Sequence, residues 1–216
     1  MRKLKLGVLI SGSGTNLQAL IDAAAQGDYP AEINVVICNR PNAGGIERAK
    51  KAGIPVAVID HTEYEIREKF EAALQECLME HGVQLVCLAG FMRILNADFV
   101  NKWRDRMINI HPSLLPAYKG LHTHARALED GVRFAGCTIH FVRPEMDNGP
   151  IIMQAAIPIL PVDTPESLAA RTLTFEHQMY PAAVRLIAEG KVRVSGHKVV
   201  IKEADIPPGG MISPVP

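Results

Sequence analysis

No apolar run in this 216-residue chain approaches the roughly 18 residues that a membrane-spanning helix requires. The longest clean run reaches only from Leu85 to Met92. Net charge is also missing. The 23 Lys and Arg balance 23 Asp and Glu, which argues against the basic face that nucleic acid or a membrane surface would select. Cysteine is scarce: Cys38, Cys77, Cys87 and Cys137 stand far apart with no CxxC pair. Each falls within a predicted strand or helix, so they read as buried free thiols in a reducing cytosol, and a cytoplasmic protein is expected. No internal repeat, low-complexity block or linker divides the sequence. The N-terminal MRKLKLGVLISGSG has the basic start of a signal peptide, but its apolar stretch from Leu6 to Ile10 is too short for one and reads as a strand. The 48% hydrophobic and 21% charged residues exclude disorder and coiled coil. A single domain over residues 1–206 is expected, followed by a Pro/Gly-rich irregular tail over 207–216.

What is present is a β–α rhythm. LKLGVLI, INVVIC, IPVAVI and VQLVCLAG alternate with helical stretches, the pattern of a parallel sheet. Thr62 and Glu65 have the spacing of a capping box for the third helix, whose apolar face carries Ile66, Phe70, Ala73, Leu74 and Cys77. The near-continuous hydrophobicity of VQLVCLAG marks a strand covered on both faces. In the second half RMINIH, GCTIHFV and PIIMQAAIPIL are separated by Pro- and Gly-rich connections, which predicts added antiparallel strands. Thr164-Pro165-Glu166 starts a long helix to about Gly190, and KVRVSGHKVVI forms a hairpin about Ser195-Gly196.

Three stretches carry residues suited to chemistry. SGSGTNLQ, residues 11–18, joins a buried strand to a helix, where free N–H groups and the positive dipole end suit a phosphate; the alternative is a plain structural turn. Leu17 replaces the third glycine of GxGxxG, no Lys follows, and Asn39-Arg40 occupy the place of the ribose-binding acid, so neither a dinucleotide fingerprint nor a Walker A loop is complete. In NIHPSLLPAYKG, Asn109 and His111 lie two apart on an extended segment and face the same way. An amide donor beside an imidazole suits acyl transfer, one stabilising a developing oxyanion and the other moving protons; either side chain also occurs as a satisfied structural residue. Asp147, in the turn Asp147-Asn148-Gly149-Pro150, would orient His111 if the two met, or else bond only its own loop. His122 and His124 would share a face if extended, but no recognised zinc spacing accompanies them and no metal is expected. His140, beside Thr138 and Val142, would line the same cleft or sit in the core.

In order, SGSGTN, AGFMRIL, NIHPSLLPAYKGLHTH, IHFV and DNGPII closely resemble the phosphoribosylglycinamide formyltransferases, over nearly all of the chain to about residue 190. Five motifs in one order are far more specific than any of them alone. The resemblance implies an α/β fold with a Rossmann-like, mostly parallel sheet, helices on both faces and antiparallel strands in the C-terminal half. It implies transfer of a formyl group from 10-formyltetrahydrofolate to the amine of phosphoribosylglycinamide, without metal. By the same resemblance Asn109, His111 and Asp147 are catalytic, and Gly14, Thr15, Asn16 and Glu176 bind the substrate. The folate side is implied to use Arg67, Met92, Arg93, Ile94, Leu95, Asn109 and the loop Arg143, Pro144, Glu145, Met146 and Asp147. Leu173 and Phe175 depart from the family's pattern, standing where it carries polar residues. Small-molecule substrates are the expected partners, with no nucleic acid or membrane, and the chain is expected as a monomer or homodimer.

Two related families are rivals, the first of them resembling this one in its Asn, His and Asp. Formyltetrahydrofolate deformylase passes the formyl group to water and carries an added N-terminal region, whereas here a strand is expected from Leu4. Methionyl-tRNA formyltransferase adds an RNA-binding domain, for which no basic surface is expected. A folate- or nucleotide-binding protein without turnover is the alternative of another class, and a nicotinamide dehydrogenase is undercut by the incomplete fingerprint.

Overall fold

The structure, a computed structural model, describes residues 3–203, 209 and 211–213. Seven strands form one sheet in the order β3-β2-β1-β4-β5-β6-β7. They are β1 (Leu4–Ile10), β2 (Ala31–Cys38), β3 (Val56–Val58), β4 (Leu85–Leu88), β5 (Met107–His111), β6 (Phe134–Phe141) and β7 (Ile151–Pro158). The first five run parallel; β6 is antiparallel to β5, and β7 to β6. The fold is therefore the expected parallel sheet with antiparallel strands added at the end. Of the helices, α1 (Thr15–Ala24), α2 (Gly45–Lys51), α3 (Arg67–Glu80) and α4 (Ala97–Lys102) cross between parallel strands. Then come α5 (Thr123–Glu129), the long α6 (Pro165–Ala188) and a separate hairpin of β8 (Val192–Ser195) and β9 (Lys198–Ile201).

Strand alternation sends apolar side chains into two layers. Leu6, Val8 and Ile10 of β1 pack with Leu17 and Leu20 of α1 and with Met179, Ala183 and Val184 of α6. On the opposite face Leu9 packs with Phe70, Leu74 and Leu78 of α3 and with Phe99 and Trp103 around α4. Tyr180, fully buried, donates its hydroxyl to the Leu88 carbonyl at 2.9 Å and so pins α6 to the end of β4. All four cysteines are buried and free, as expected. Among the described residues no helix is long and apolar enough to cross a membrane.

This topology also locates the cleft. From central β1 the chain goes to β2 on one side and later returns to β4 on the other, so a crevice opens beyond the carboxyl ends of β1 and β4, where ligands of open α/β sheets bind.

Three expectations about local structure need correction. Thr62 and Glu65 do not cap α3. Asp60 Oδ1 accepts from both the Thr62 N–H (2.9 Å) and its hydroxyl (2.8 Å), which closes a 3₁₀ turn over His61–Glu63, and α3 begins only at Arg67 after an extended Ile66. Ile66 is accordingly half exposed and leaves the apolar face. The terminal hairpin pairs Ser195 with Lys198, which places its turn at Gly196-His197, one residue later than read. Most of the tail from Pro207 lies outside the described residues.

The start of α6 is fixed by one acid. Asp163 accepts from Arg171 through both guanidinium nitrogens (2.6 and 2.8 Å), from the Leu160 N–H and from the Ser167 hydroxyl, while Thr164 and Ser167 close a reciprocal capping box. The Arg171 guanidinium, helped by the other donors, holds the Asp163 carboxyl down at about 2. A depressed folded-state pKa gives stability that is full above the unfolded value near 4 and lost as pH falls toward 2. Asp163→Asn is therefore expected to lower the melting temperature at pH 7 by about 2–6 °C. The gap to wild type should narrow between pH 4 and pH 2, as thermal unfolding followed by circular dichroism would show.

Candidate active site

The crevice is built from the loops that follow β1, β4, β5 and β6. Asn109 and His111 alternate along β5 with Ile108 and Ile110, which pack in the layer under α6, so the two polar side chains share the other face. The antiparallel register places His140 of β6 opposite Asn109 and Thr138 opposite His111.

His111 is buried, and its Nε2 lies 2.9 Å from the Tyr118 carbonyl oxygen. A carbonyl only accepts, so Nε2 carries the hydrogen and Nδ1 is the nitrogen left with a free lone pair in the neutral ring. Nδ1 stands 3.5 Å from Asp147 Oδ2, and the same carboxylate oxygen accepts from the Gly120 N–H at 2.9 Å. Asp147 reaches this position from a left-handed backbone (φ 49°), a conformation Asp tolerates better than most residues. Behind it, a Cβ on Gly149 would collide with the Phe141 carbonyl, so only glycine lets this loop lie so close to β6. Asp147 thus does more than bond its own turn.

His140 was left open by the sequence, and the structure gives it both roles. It is buried in β6, its Nδ1 donates to the Phe141 carbonyl at 3.0 Å, and its Nε2 faces Asn109 Nδ2 at 3.4 Å and Asp147 Oδ1 at 3.9 Å. Burial holds its imidazole below the ordinary histidine range, so it meets Asn109 as a neutral acceptor and orients that amide. Thr138, fully buried, donates to the Ser113 carbonyl and accepts from the Leu115 N–H, which fastens the loop after His111.

Across the crevice α1 starts without a side-chain cap and without an acid in its first turn, leaving the first N–H groups free. Gly14 precedes it at φ 72°, and a Cβ there would stand 2.7 Å from Gly45 Cα, so glycine is demanded by the meeting of two loops as well as by the backbone angle. Asn16 and Glu176, 160 residues apart in sequence, are joined: Asn16 Nδ2 donates to Glu176 Oε2 at 2.7 Å, while Asn16 Oδ1 is buried without a partner. Burial pushes the Glu176 carboxyl up, with the Asn16 donor working against it.

The segment after β4 has no regular structure. Met92 and Ile94 are 60% and 67% exposed, whereas Leu95 is buried. Arg93 is exposed beside them, and Met146 offers a third exposed apolar side chain from the Asp147 loop, where Pro144 and Glu145 are also exposed. Arg143 turns away to Asp105 and to the Val142 carbonyl and so braces its loop. Arg67, at the start of α3, is exposed and comes no nearer than 3.9 Å to Glu71. Phe175 is 39% exposed and Leu173 half-buried on α6.

His122 and His124 do not lie on an extended segment. His122 is the left-handed cap of α5 (φ 56°), and His124 lies within the helix with its Nε2 buried and unpartnered. Among the described residues no group of three or more His, Cys, Asp and Glu could hold a metal ion. A groove of about 650 Å³ between α1 and α6 has Thr15 in its lining but none of Asn109, His111 and Asp147. Ser11 and Asn39 bond each other and, through Ser11, the Met92 N–H, contacts that loop and strand-end patterns do not show, and Glu71 carries no signal in the sequence, because a buried carboxylate has no periodic signature.

The family model described as Formyl transferase matches residues 4–184. The trifunctional purine biosynthetic protein adenosine-3 of Gallus gallus is 50% identical over 192 residues; these are 89% of this chain and only 19% of that protein, so the chain spans about a fifth of this relative. Phosphoribosylglycinamide formyltransferase of Haemophilus influenzae is 42% identical over 206 residues, 95% of this chain and 97% of the relative. Among solved structures, glycinamide ribonucleotide transformylase 1 from Symbiobacterium toebii superposes with a TM-score of 0.90 at 50% identity, covering 92% of this chain and 94% of that one. With the fold, the order of motifs and the matched span in agreement, the chain belongs to the formyl transferase family.

Proposed function

We propose that the chain transfers the formyl group of 10-formyltetrahydrofolate to the amine of phosphoribosylglycinamide. One observation carries the reading: His111, with its Nε2–H fixed on the Tyr118 carbonyl and its Nδ1 beside Asp147, lies two residues along β5 from Asn109. Two relatives matched over nearly their own whole length, one by sequence and one by structure, carry names for this reaction.

The chain offers complementary ends for the two substrates. The uncapped start of α1 at Gly14, Thr15 and Asn16 suits a phosphate, and the Asn16–Glu176 pair, with its unpartnered amide oxygen, suits the sugar and amine groups beyond it. At the folate end Met92, Ile94 and Met146 expose apolar surface that a flat ring would cover. The N–H groups of Arg93, Ile94 and Leu95 carry no hydrogen bond among the described residues. Exposed Arg67 and Arg93 suit the carboxylates of a folate tail.

The geometry supports the following course of reaction. The amine nitrogen attacks the formyl carbon, and negative charge gathers on the formyl oxygen. The Asn109 amide, oriented by neutral His140, donates to that oxygen as the charge develops. The attacking nitrogen sheds a proton, which His111 accepts at Nδ1, where the Asp147 carboxylate stabilises the resulting imidazolium. The same proton then goes to the departing folate nitrogen as its bond to the formyl carbon breaks. Neutral tetrahydrofolate and the formylated amide leave, and His111 returns to its starting tautomer.

His111→Ala and Asp147→Asn are each expected to lower kcat by roughly 10²–10⁴, with the fold kept. The double variant should lose far less than the product of the two, because the pair acts as a unit. Steady-state kinetics checks this, and near-wild-type turnover in either single variant would refute the role. Asn109→Ala should cut kcat by about 10²–10³ while folate KM moves little; a rise in KM alone would make Asn109 a binding residue.

The phosphate assignment is best tested on the unaltered protein, since a side chain at Gly14 would strike Gly45 and disturb the loops themselves. Titration calorimetry should show phosphoribosylglycinamide binding at least about 100-fold more tightly than unphosphorylated ribosylglycinamide. Equal affinities would make the start of α1 a structural turn.

A further inference from the structure

Between Phe91 and Asn96 the chain forms neither helix nor strand, yet it presents Met92 and Ile94 to solvent. An irregular segment with apolar side chains exposed should collapse onto the protein unless something fixes its ends. Besides the buried Phe91 and Leu95, two polar side chains do so. At the start, the Met92 N–H donates to Ser11 Oγ at 2.7 Å, and the Ser11 hydroxyl hydrogen is itself committed to Asn39 Oδ1 at 2.6 Å, so Ser11 meets Met92 only as an acceptor. Asn39 is fully buried at the end of β2, and both its side-chain Nδ2 and its backbone carbonyl lie near His61 Nδ1, at 3.1 and 3.0 Å. At the far end, the Asn96 N–H donates to Glu71 Oε1 at 2.7 Å, and the Asn96 side chain accepts from the Phe99 N–H to start α4.

Glu71 is an expensive choice for this place. It is 3% exposed on the face of α3 that otherwise carries Phe70, Leu74 and Leu78, its Oε2 is buried without a partner, and burial pushes its carboxyl up. An apolar residue would avoid that desolvation. What the carboxyl secures is the position of Asn96 and, through it, the end of the exposed segment.

We infer that Ser11 and Glu71 are positioning residues that hold the 92–95 segment in a shape ready to receive the flat ring of the folate co-substrate. This rests on the formyl-transfer reading above and adds to it the side chains that preset the folate wall. By binding with its ends already fixed, the segment would not need to be ordered by the ligand, so removing either tether should weaken folate and leave the phosphate end alone.

Titration calorimetry with tetrahydrofolate and, separately, with phosphoribosylglycinamide tests this on wild type, Ser11→Ala, Glu71→Ala and Glu71→Gln. Ser11→Ala and Glu71→Ala should each raise the tetrahydrofolate Kd about tenfold, the scale of one lost hydrogen bond, with the ribonucleotide Kd within about twofold of wild type. Glu71→Gln, whose amide oxygen can still accept from the Asn96 N–H, should recover most of that loss. In turnover the same variants should raise folate KM more than they lower kcat. Unchanged tetrahydrofolate affinity in the alanine variants, or equal loss of both ligands, overturns the inference alone. If Glu71→Ala does not fold, Ser11→Ala decides by the same two readouts. Wild-type protein that bound no tetrahydrofolate would overturn the formyl-transfer reading together with this one.

Discussion

The carboxylate of Asp147 joins the loop after β6 to the loop after β5, and the His111 end of the cleft depends on that join. One oxygen takes the Gly120 N–H and stands beside His111 Nδ1, while the other looks toward His140. Neither loop contains helix or strand at these residues, so without the contact His111 would keep its Nε2 on the Tyr118 carbonyl but have no partner at Nδ1. The cost is local: a non-glycine residue at positive φ, and a glycine pressed against the Phe141 carbonyl. Strain confined to a residue that meets the imidazole is the pattern expected where geometry serves chemistry.

The antiparallel end of the sheet is what makes that geometry available. Parallel strands bring only their carboxyl ends to the crevice, whereas reversing β6 sets its residues 138–141 opposite residues 111–108 of β5. Two β6 side chains, Thr138 and His140, therefore come opposite His111 and Asn109, one fastening the following loop and the other orienting the amide. The parallel half contributes the uncapped helix start at Gly14 and the tethered segment after β4. Each half of the fold thus supplies its own part of the crevice, the helix start and the segment after β4 on one side and the Asn109, His111 and Asp147 cluster on the other.

Much of this was legible in the sequence because periodicity reports burial. Alternating and continuous apolar runs gave the strands and their order of covering, and the spacing of Asn109 and His111 gave a shared face. Residue order could not show that Asp147 meets His111 or that Asn16 meets Glu176, since those contacts depend on loop paths rather than on a period. The false capping box at Thr62 shows the same limit: the residue types fit, but Asp60 two positions earlier competes for the same hydroxyl and N–H. Glu71 was invisible for the opposite reason, as a charged residue on an amphipathic helix reads as solvent-facing until its burial is seen. The Met92–Ser11 and Asn96–Glu71 contacts likewise join distant stretches and have no counterpart in the sequence pattern.

Formyl transfer to an amine differs from hydrolysis in one observable: whether the folate gives up its formyl group without an acceptor. Purified protein given 10-formyltetrahydrofolate, with and without phosphoribosylglycinamide, and followed for release of tetrahydrofolate, distinguishes the two. Release that requires the ribonucleotide and matches it mole for mole is the expected outcome. Release at the same rate without the amine, or no release with both substrates present, would contradict the assignment of Asn109, His111 and Asp147 to formyl transfer between these two substrates.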